Sequence, residues 1–344
     1  MSEAPEVKLP TRGRSRFGSI VCLIGIWLAT IGLIVGYLGN LSIWFDAFSH
    51  LRLHFMVALL ALISTYIAAV PFRVPVGIGM MVLGMLAIGN WHNLVPAGSE
   101  AKSVNAENHR VLKVMHFNTW IWNKDLEVIK AEIERTNPDV VFLAEYDSQK
   151  HKLAAMLKDA YPYMLPEKPV RHVDLALFSK VPFVASHVQG DWIGPKFIKV
   201  QLGADWGGVN IVGVHTIRPP RQQAQKKQLT AFGQEVAKID GPVIVMGDFN
   251  ATPFSAMLDI FRKETGLRRI TTLPTWPASV FRLPQLAIDH IFLSDDVQLV
   301  QPAKVGLYAG SDHYPVSTIV SVPIRARVTE YTDFSGYFHD AKAN

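Results

Sequence analysis

Three uncharged apolar stretches follow one another in the first 95 residues of the chain. Residues 19–39 form a run of 21 residues without a formal charge, 55–72 a run of 18 and 74–95 a run of 22. A helix needs about 20 such residues to cross the hydrocarbon core of a bilayer. A buried helix of a soluble domain could account for one stretch, but three in succession predict three transmembrane helices over 19–95. The length of the first stretch, and the two that follow it, disfavour a cleavable signal peptide.

Lysine and arginine residues on either side of these stretches predict their orientation. The N-terminal tail 1–18 and the turn between the second and third stretches carry five of them: Lys8, Arg12, Arg14, Arg16 and Arg73. The flanks on the other side carry three: Arg52, Lys102 and Arg110. Because cytoplasmic flanks are enriched in Lys and Arg, the tail is predicted to be cytoplasmic. Three crossings then place the remainder of this multi-pass chain outside the cytoplasm, which is the periplasm in a bacterium, after a small, polar linker at 96–109.

Short apolar runs that are typical of strands fill the region from 110 to 324, with few helical patterns between them. Residues 125–137 have apolar positions at helical spacing and stop at Pro138, and 221–239 repeat that pattern. The predicted strands are 111–117, 139–146, 174–179, 197–202, 209–216, 243–246, 288–293 and 316–320. Many strands with few helices predict a layered α+β domain over 110–324. Residues 325–344 follow it as a C-terminal tail.

Composition and charge sharpen this division of the chain. Charged residues make up 18% of the sequence, against about 25% in a typical soluble domain. The deficit lies mainly in the apolar stretches, where only Asp46 and Arg52 are charged between Phe17 and Phe72. Of the net charge of +5, residues 1–95 hold +3 and the rest +2, so the larger part has no strong attraction for long nucleic acids. The single cysteine, Cys22, excludes a disulfide-stapled fold.

Polar residues of catalytic type stand where the predicted strands begin or end. They are Asn118, Glu145, His215, Asp248, Asn250, Asp289, Asp312 and His313. Each one alone has an ordinary structural explanation, such as a turn, a cap or a packed ring. Together, the carboxylates and an Asn carbonyl are hard oxygen ligands suited to Mg²⁺ or Mn²⁺, and histidines transfer protons or bind phosphate oxygens. Residues 96–344 have no Cys and no HExxH pair, which leaves a zinc site without support.

Seven motifs resemble those of the endonuclease/exonuclease/phosphatase superfamily and occur in its order over residues 110–322. They read FNTW, LAEYD, LFSKVPF, VHTIRPP, GDFNATP, IDHIF and SDHYPV. The resemblance implies a four-layered α/β/β/α sandwich, here preceded by a three-helix transmembrane anchor as in a group of membrane-attached bacterial members. It also implies metal-assisted hydrolysis of a phosphoester by water.

The resemblance also implies a role for each motif residue. Glu145 would be the main metal ligand, with Asn118 and Asp312 nearby. Asp248 would orient or deprotonate the attacking water with the help of Asn250, while His313 would contact the scissile phosphate and Asp289 would hold His313. His215 matches a second histidine of the deoxyribonuclease and phosphatase branches. We expect His290 to pack beside the sheet and His116 to be structural.

The sequence indicates the type of reaction more clearly than the identity of the substrate. Arg218 and Arg221 follow His215 and are candidates for binding phosphate, whereas Lys226 and Lys227 fit a solvated helix face equally well. Trp276 suits either stacking on a base or sugar or packing in the domain. A nucleic acid, a phospholipid head group and a small phosphoester all remain open, and no protein partner is predicted besides the bilayer. The alternative function is a non-catalytic membrane sensor or scaffold that retains the fold, for which a broken site is expected.

Overall fold

The computed structural model describes most of the chain outside its two ends and one internal segment. The described residues are 16–69, 79, 93, 108–168, 170–190, 196–219, 221–283 and 285–324. The predicted third span at 74–95 lies outside them except for Gly79 and Asn93, and so do the tail at 325–344 and most of the predicted linker.

The first described part is an antiparallel pair of apolar helices joined by a short third helix. It consists of α1 (Arg16–Tyr37), α2 (Ile43–Ser49) and α3 (Arg52–Ala69). The two long helices pack through small residues of α1, since Gly25 lies against Leu62 and Gly32 against the Phe55 ring. The outward face keeps large apolar side chains exposed, including Trp27 and Leu28. An exposed apolar face of this kind marks a surface that meets lipid or another apolar partner.

Only part of the predicted three-helix anchor is supported by the described residues. Phe17–Tyr37, with a mean hydropathy of 2.4, is long and apolar enough to cross a membrane, as a membrane anchor or a signal sequence would. The second predicted span is helical, but its stretch Arg52–Tyr66 qualifies only together with α2, from which it is bent by 55°. By length and composition the described residues thus contain one candidate span, or two if the bent pair counts, and not the three that the sequence predicts.

Two mixed β-sheets of six strands each form the second part. The first sheet has the order β11-β12-β1-β2-β4-β3 and the second β5-β6-β7-β8-β10-β9. The strands of the first are β1 (His109–Asn118), β2 (Val140–Ala144), β3 (Tyr163–Leu165), β4 (Leu175–Ser179), β11 (Gln298–Val305) and β12 (Val316–Pro323). Those of the second are β5 (Phe183–Gln189), β6 (Lys196–Leu202), β7 (Asn210–His215), β8 (Val243–Asp248), β9 (Arg268–Arg269) and β10 (Asp289–Leu293). The pairs β1–β2 and β7–β8 are parallel.

The sheets pack face to face and are covered by helices on their outer faces. Alternate residues of a strand point to opposite faces, so Val140 and Phe142 of β2 enter the core between the sheets while Val141 packs outward. The outward face of the first sheet meets α4 (Leu126–Thr136) and α5 (Lys152–Leu157), and that of the second meets α6 (Gln222–Ala237) and α7 (Ala256–Thr265). This is the layered α/β sandwich that the sequence predicts.

The parallel pairs bring the chemistry to one edge of the sandwich. The carboxyl ends of parallel neighbours lie at the same edge of a sheet, and Asn118 pairs in register with Ala144, directly before Glu145. In the second sheet, His215 pairs with Asp248 and Asp248 with Asp289. The two sheets therefore present these side chains to each other.

Candidate active site

The predicted residues converge on one open cleft of about 760 Å³ at this edge. Eight of them line it: Glu145, His215, Arg218, Arg221, Asp248, Asn250, Asp312 and His313. Asn118 and Asp289 lie directly behind it, both buried. All ten candidates are thus brought together, although Arg218 and Arg221 are exposed at the rim. Lys226 and Lys227 are exposed on α6 and do not line the cleft.

A buried carboxylate orients the histidine that faces the cleft. Asp289 Oδ2 lies 2.8 Å from His313 Nδ1, so the ring donates its Nδ1–H to the carboxylate and turns Nε2 towards Asp248, whose Oδ2 lies 3.8 Å away. Burial alone would lower the pKa of His313, but the Asp289 and Asp248 carboxylates raise it to about 10. The pKa of Asp289 falls well below its ordinary value, because His313 and His116 outweigh the effect of burial. The structure therefore favours a protonated His313.

Asp248 is the other buried acid, and amide groups hold both of its oxygens. Its Oδ1 accepts the backbone N–H of Asn250 at 2.8 Å, and its Oδ2 accepts Asn118 Nδ2 at 3.0 Å. Burial raises the pKa of Asp248, and the nearby Asp289 charge adds to that effect while His313 opposes it. A carboxylate with a raised pKa accepts a proton more readily than an ordinary one.

Glu145 and Asp312 form the acidic wall that best fits a cation. Glu145 accepts Asn118 Nδ2 at 3.2 Å and the backbone N–H of Ile121 at 2.7 Å. Asp312 Oδ2 accepts Trp276 Nε1 at 3.1 Å, whereas Asp312 Oδ1 is buried without a hydrogen-bond partner. Burial raises the pKa of Asp312, and the charge of Glu145 adds to it. An unpartnered carboxylate oxygen beside a second carboxylate is the donor set that Mg²⁺ or Mn²⁺ takes.

A second group of potential ligands is already engaged within the protein. Ligand atoms of Asp248, Asp289 and His313 lie within 4.8 Å of one another. However, Asp289 Oδ1 is bound to His116 Nε2 at 2.8 Å, and its Oδ2 accepts Thr275 Oγ1 at 2.5 Å besides its bond to His313. These bonds make the Glu145–Asp312 wall the better fit for a metal. Asn118 supports that wall as a donor, since its amide oxygen accepts the backbone N–H of Trp120 at 3.0 Å.

His215 lies in the cleft among three carboxylates, with Lys196 bound to one of them. His215 Nε2 lies 3.8 Å from Asp248 Oδ2 and 4.0 Å from Glu145 Oε1, and its Nδ1 lies 3.9 Å from Asp174 Oδ2. Lys196 Nζ binds Asp174 at 2.9 Å. His215 and Lys196 hold the pKa of Asp174 below its ordinary value against the effect of burial.

Backbone strain coincides with the site. Trp120, Glu145 and Asn250 have positive φ values of 57°, 54° and 48°, in a region that residues other than glycine seldom occupy. All three line the cleft. Such conformations persist only where the surrounding contacts hold them, and they cluster at functional sites.

The sequence prediction missed His116 and Asp174. His116 was expected to be structural, but it binds the same Asp289 carboxylate that orients His313. A polar residue inside the otherwise apolar strand 114–117 was the available signal. Asp174 stands directly before the apolar strand Leu175–Ser179, a position equivalent to those that marked other candidates. The expectation for His290 is confirmed, since it is buried and binds Thr271 and the Ala251 carbonyl. Trp276, for which the sequence left both stacking and packing open, lines the cleft and donates to Asp312.

Residues 115–313 match the Endonuclease/Exonuclease/phosphatase family, over more than half of the 344 residues. The chain therefore belongs to this family, which confirms the resemblance seen in its motifs. Members of the family are phosphoester hydrolases, and the chain has the type of acidic and histidine site that such hydrolysis uses. A search of the curated proteins finds no significant match.

Solved structures share the fold at low sequence identity. An endonuclease/exonuclease/phosphatase family protein from Bacteroides thetaiotaomicron aligns with a TM-score of 0.52 and 15% identity, over 62% of this chain and 98% of that one. D. rerio TDP2 complexed with a single strand DNA product aligns with a TM-score of 0.51 and 17% identity, over 61% and 98%. A mutant beta toxin from Staphylococcus aureus with bound magnesium ions aligns with a TM-score of 0.49 and 18% identity, over 62% and 100%.

Proposed function

We propose that this chain is a membrane-anchored, divalent-metal-dependent phosphoester hydrolase that directs water onto a phosphate group. The observation that carries the proposal is the buried Asp289–His313 pair beside Asp248, facing a wall with an unpartnered Asp312 oxygen. The alternative, a non-catalytic sensor, requires no such arrangement. Burial of these charged side chains costs folding free energy, and a scaffold without catalysis would gain no activity in return.

The residues divide the chemistry among them. Asp248 accepts a proton from the attacking water, helped by its raised pKa, and Asn250 and Asn118 fix the direction of its oxygens. His313, protonated and held by Asp289, donates from Nε2 to a phosphate oxygen and stabilises the charge that develops there. His215 is close enough to Asp248 to bind a second oxygen of the same phosphate.

Glu145 and Asp312 would hold the metal. When bound, a divalent cation supplies neutralisation of negative charge on the phosphate. The two carboxylates repel each other without it, since each lies within the field of the other. Asn118 keeps Glu145 in place through its amide nitrogen.

The cleft suits a phosphoester with a sizeable substituent. Arg218, Arg221 and Lys196 supply positive charge on one side, and Trp120 and Trp122 supply apolar surface on another. Nucleic acid, a phospholipid head group and a small phosphoester all carry the reacting group, and D. rerio TDP2, which shares the fold, was crystallised with a DNA product.

The contact between the helical pair and the sandwich supports an odd number of membrane crossings. The segment 42–52, at the far end of α1, packs on the catalytic domain through Asp46 and His50. If α1 and α3 both cross a bilayer, α3 ends on the side where α1 begins, opposite the catalytic domain. The chain then has to cross again before residue 108, and the uncharged stretch 74–95 has the required length. We therefore propose three crossings, with the catalytic domain outside the cytoplasm.

Turnover by the full-length chain in detergent tests the proposed activity. Bis-p-nitrophenyl phosphate, DNA and phospholipid vesicles are supplied separately, with Mg²⁺ or with EDTA. We expect turnover of at least one substrate that EDTA abolishes and Mg²⁺ or Mn²⁺ restores. Asp248→Ala and His313→Ala should lower kcat by about 10²–10⁴-fold, whereas the exposed Asp295→Asn serves as a matched control. No metal-dependent turnover of any substrate, or unchanged activity in both site variants, contradicts the proposal.

Reporter fusions test the topology. A reporter that is active only outside the cytoplasm is fused after residue 70 or after residue 344. Three crossings predict opposite results from the two fusions, with activity only after 344. The same result from both contradicts a third crossing.

A further inference from the structure

The segment between the long helices α1 and α3 is docked on the catalytic domain through a buried carboxylate. Asp46 is fully buried, and its Oδ1 accepts the backbone N–H of Ala256 at 2.6 Å while its Oδ2 accepts Ser255 Oγ at 2.7 Å. Ser255 is the N-cap of α7 and Ala256 its first residue. A negative charge at this end of a helix is stabilised by the unpaired N–H groups there. Asp46 therefore caps the N-terminus of α7, although it belongs to the segment outside the catalytic domain.

His50 extends this contact towards the active site. Its Nδ1 accepts the backbone N–H of Thr252 at 3.2 Å, so that nitrogen carries no proton. Arg52 follows, with its guanidinium 5.8 Å from the centre of the Phe254 ring and a hydrogen bond of 2.7 Å to the carbonyl of Gly36 in α1. The docked segment thus contacts Thr252, Phe254, Ser255 and Ala256 of the catalytic domain.

The contacted residues belong to the loop that carries Asn250. This loop, residues 249–255, runs from Asp248 at the end of β8 to the start of α7. On its catalytic side, Gln225 binds the carbonyls of Phe249 and Asn250, and His290 binds the carbonyl of Ala251. His50 and Asp46 hold the half of the loop that follows. Helix α7 and the loop are therefore fixed from two sides, one of which is the membrane hairpin, as we call helices α1 to α3 (16–69) under the proposed topology.

Asn250 needs such support because of its backbone. Its φ of 48° lies in the left-handed region, and its N–H and side-chain amide both bind Asp248. A strained residue returns to a relaxed conformation when the contacts that hold it are released. Release would turn the Asn250 donors away from the carboxylate that they orient.

We propose that Asp46 and His50 are positioning residues for catalysis, which makes the membrane hairpin a working part of the active site. This inference rests on the proposed phosphoester hydrolysis. Docking of residues 42–52 on residues 252–256 holds Asn250 beside Asp248, and undocking lowers the rate of the chemical step while the cleft that binds substrate stays in place.

Kinetics of the full-length chain in detergent, with bis-p-nitrophenyl phosphate and Mg²⁺, test this inference. Asp46→Asn and His50→Ala should lower kcat by about tenfold or more with KM within about twofold, because small misplacements near the reacting groups cost rate. His50→Asn should regain most of the lost kcat, since the Asn side-chain oxygen can accept the Thr252 N–H where Nδ1 does. Asp295→Asn removes a carboxylate that is 93% exposed, and is the matched control for Asp46→Asn.

Hydrogen exchange supplies a readout that does not depend on turnover. The amides of residues 249–252, 254 and 255 should exchange faster in Asp46→Asn and His50→Ala than in the wild type, while amides of β7 keep their protection. A lowered melting temperature with unchanged kcat and unchanged exchange makes the contact merely structural and overturns the inference, as does a His50→Asn variant no better than His50→Ala. A wild type without metal-dependent turnover contradicts the proposed function itself, and this inference falls with it.

Discussion

The Asp289 side chain sets the orientation of two histidines in the site. Its two oxygens bind His116, His313 and Thr275, and its own exposure is 1%. Because a buried carboxylate only accepts hydrogen bonds when ionised, both histidines must turn a donor towards it. The proton on His313 Nδ1 is fixed in this way, and the other ring nitrogen is free to serve the cleft.

Replacing Asp289 should therefore affect the rate more than the fold. Asp289→Asn keeps the size of the side chain but removes the charge that raises the pKa of His313. We expect kcat to fall by about 10²–10⁴-fold, the usual contribution of a positioned acid or base. Steady-state kinetics below the melting temperature of the variant measure this. A kcat within tenfold of the wild type would show that His313 needs no charged partner.

A second histidine, His290, predicts a loss of stability in acid. It donates from Nε2 to the Ala251 carbonyl at 2.8 Å, and burial, aided by Arg269, lowers its pKa to about 3. The unfolded chain binds a proton at this residue below pH ~6.5, whereas the folded chain does not until about pH 3. Between these values the free energy of unfolding should fall by about 1.4 kcal/mol per pH unit from this group alone.

Melting temperatures at pH 7.5 and pH 5.0 check the sign of this effect. The drop on acidification should be smaller in His290→Gln than in the wild type, because the substituted residue takes up no proton. Replacement of the exposed His172 by Gln is the control and should leave the drop unchanged. An identical drop in the wild type and in His290→Gln would refute the assignment.

At the level of single residues, the structure brings together polar side chains that end apolar runs in the sequence. Asn118, Glu145 and Asp248 each follow an apolar run, and the order of the motifs indicated that they belong to one site. His116 was passed over because it stands inside a strand, where a ring that packs and a ring that binds look alike in sequence. Only the partner across the sandwich, Asp289, distinguishes the two.

At the level of elements, central strands were predicted better than edge strands. Each of the predicted strands 139–146 and 243–246 overlaps a buried strand in the structure. In contrast, β5 mixes exposed and half-buried positions and β11 pairs with irregular register, so neither has the apolar run that a buried strand shows. Helix α7 was missed although Ser255 caps its start and Gly266 ends it with a φ of 67°. Its ten residues follow closely on the GDFN motif, and the sequence analysis predicts no element there.

The packing of the two sheets on each other depends on Gly213 of β7. A Cβ at this position would overlap the Phe142 ring from the facing sheet. Gly213→Ala should therefore force the sheets apart locally and destabilise the fold by about 1–3 kcal/mol. Thermal melting measures the loss. Gly203→Ala is the matched control, because the nearest atom to its Cβ would lie 3.7 Å away. Equal melting temperatures for both variants would mean that the ring moves aside without cost.

For the molecule as a whole, the site is divided between the sheets. Asn118 belongs to the first sheet, Asp248 and Asp289 to the second, and the bonds Asn118–Asp248 and His116–Asp289 cross between them. The order of the motifs predicted the fold. Which sheet contributes each residue to the cleft is seen only in the packed structure. Neither sheet holds the complete set.

Activity should consequently be lost in step with the packing of the two sheets. In a urea series, kcat and tryptophan fluorescence should report one common transition, because Trp120, Trp122 and Trp276 line the cleft itself. Turnover that survives beyond the fluorescence transition would show that one sheet suffices. Turnover that is lost at urea concentrations well below the fluorescence transition would show that the catalytic residues lie in a region that unfolds separately from the two sheets.

The docking of Asp46 on Ser255 joins residues that lie 209 positions apart in the chain, and this has a consequence for how the protein is made. A ribosome completes residue 46 long before residue 255. Throughout that interval the Asp46 carboxylate lacks the donors of Ser255 and Ala256 that bind it in the folded chain. The helices α1 to α3 are therefore made first, but they complete their contact with the domain last. A chain shortened before α7 would keep Asp46 but lack the Ser255 hydroxyl and the Ala256 N–H that bind its carboxylate.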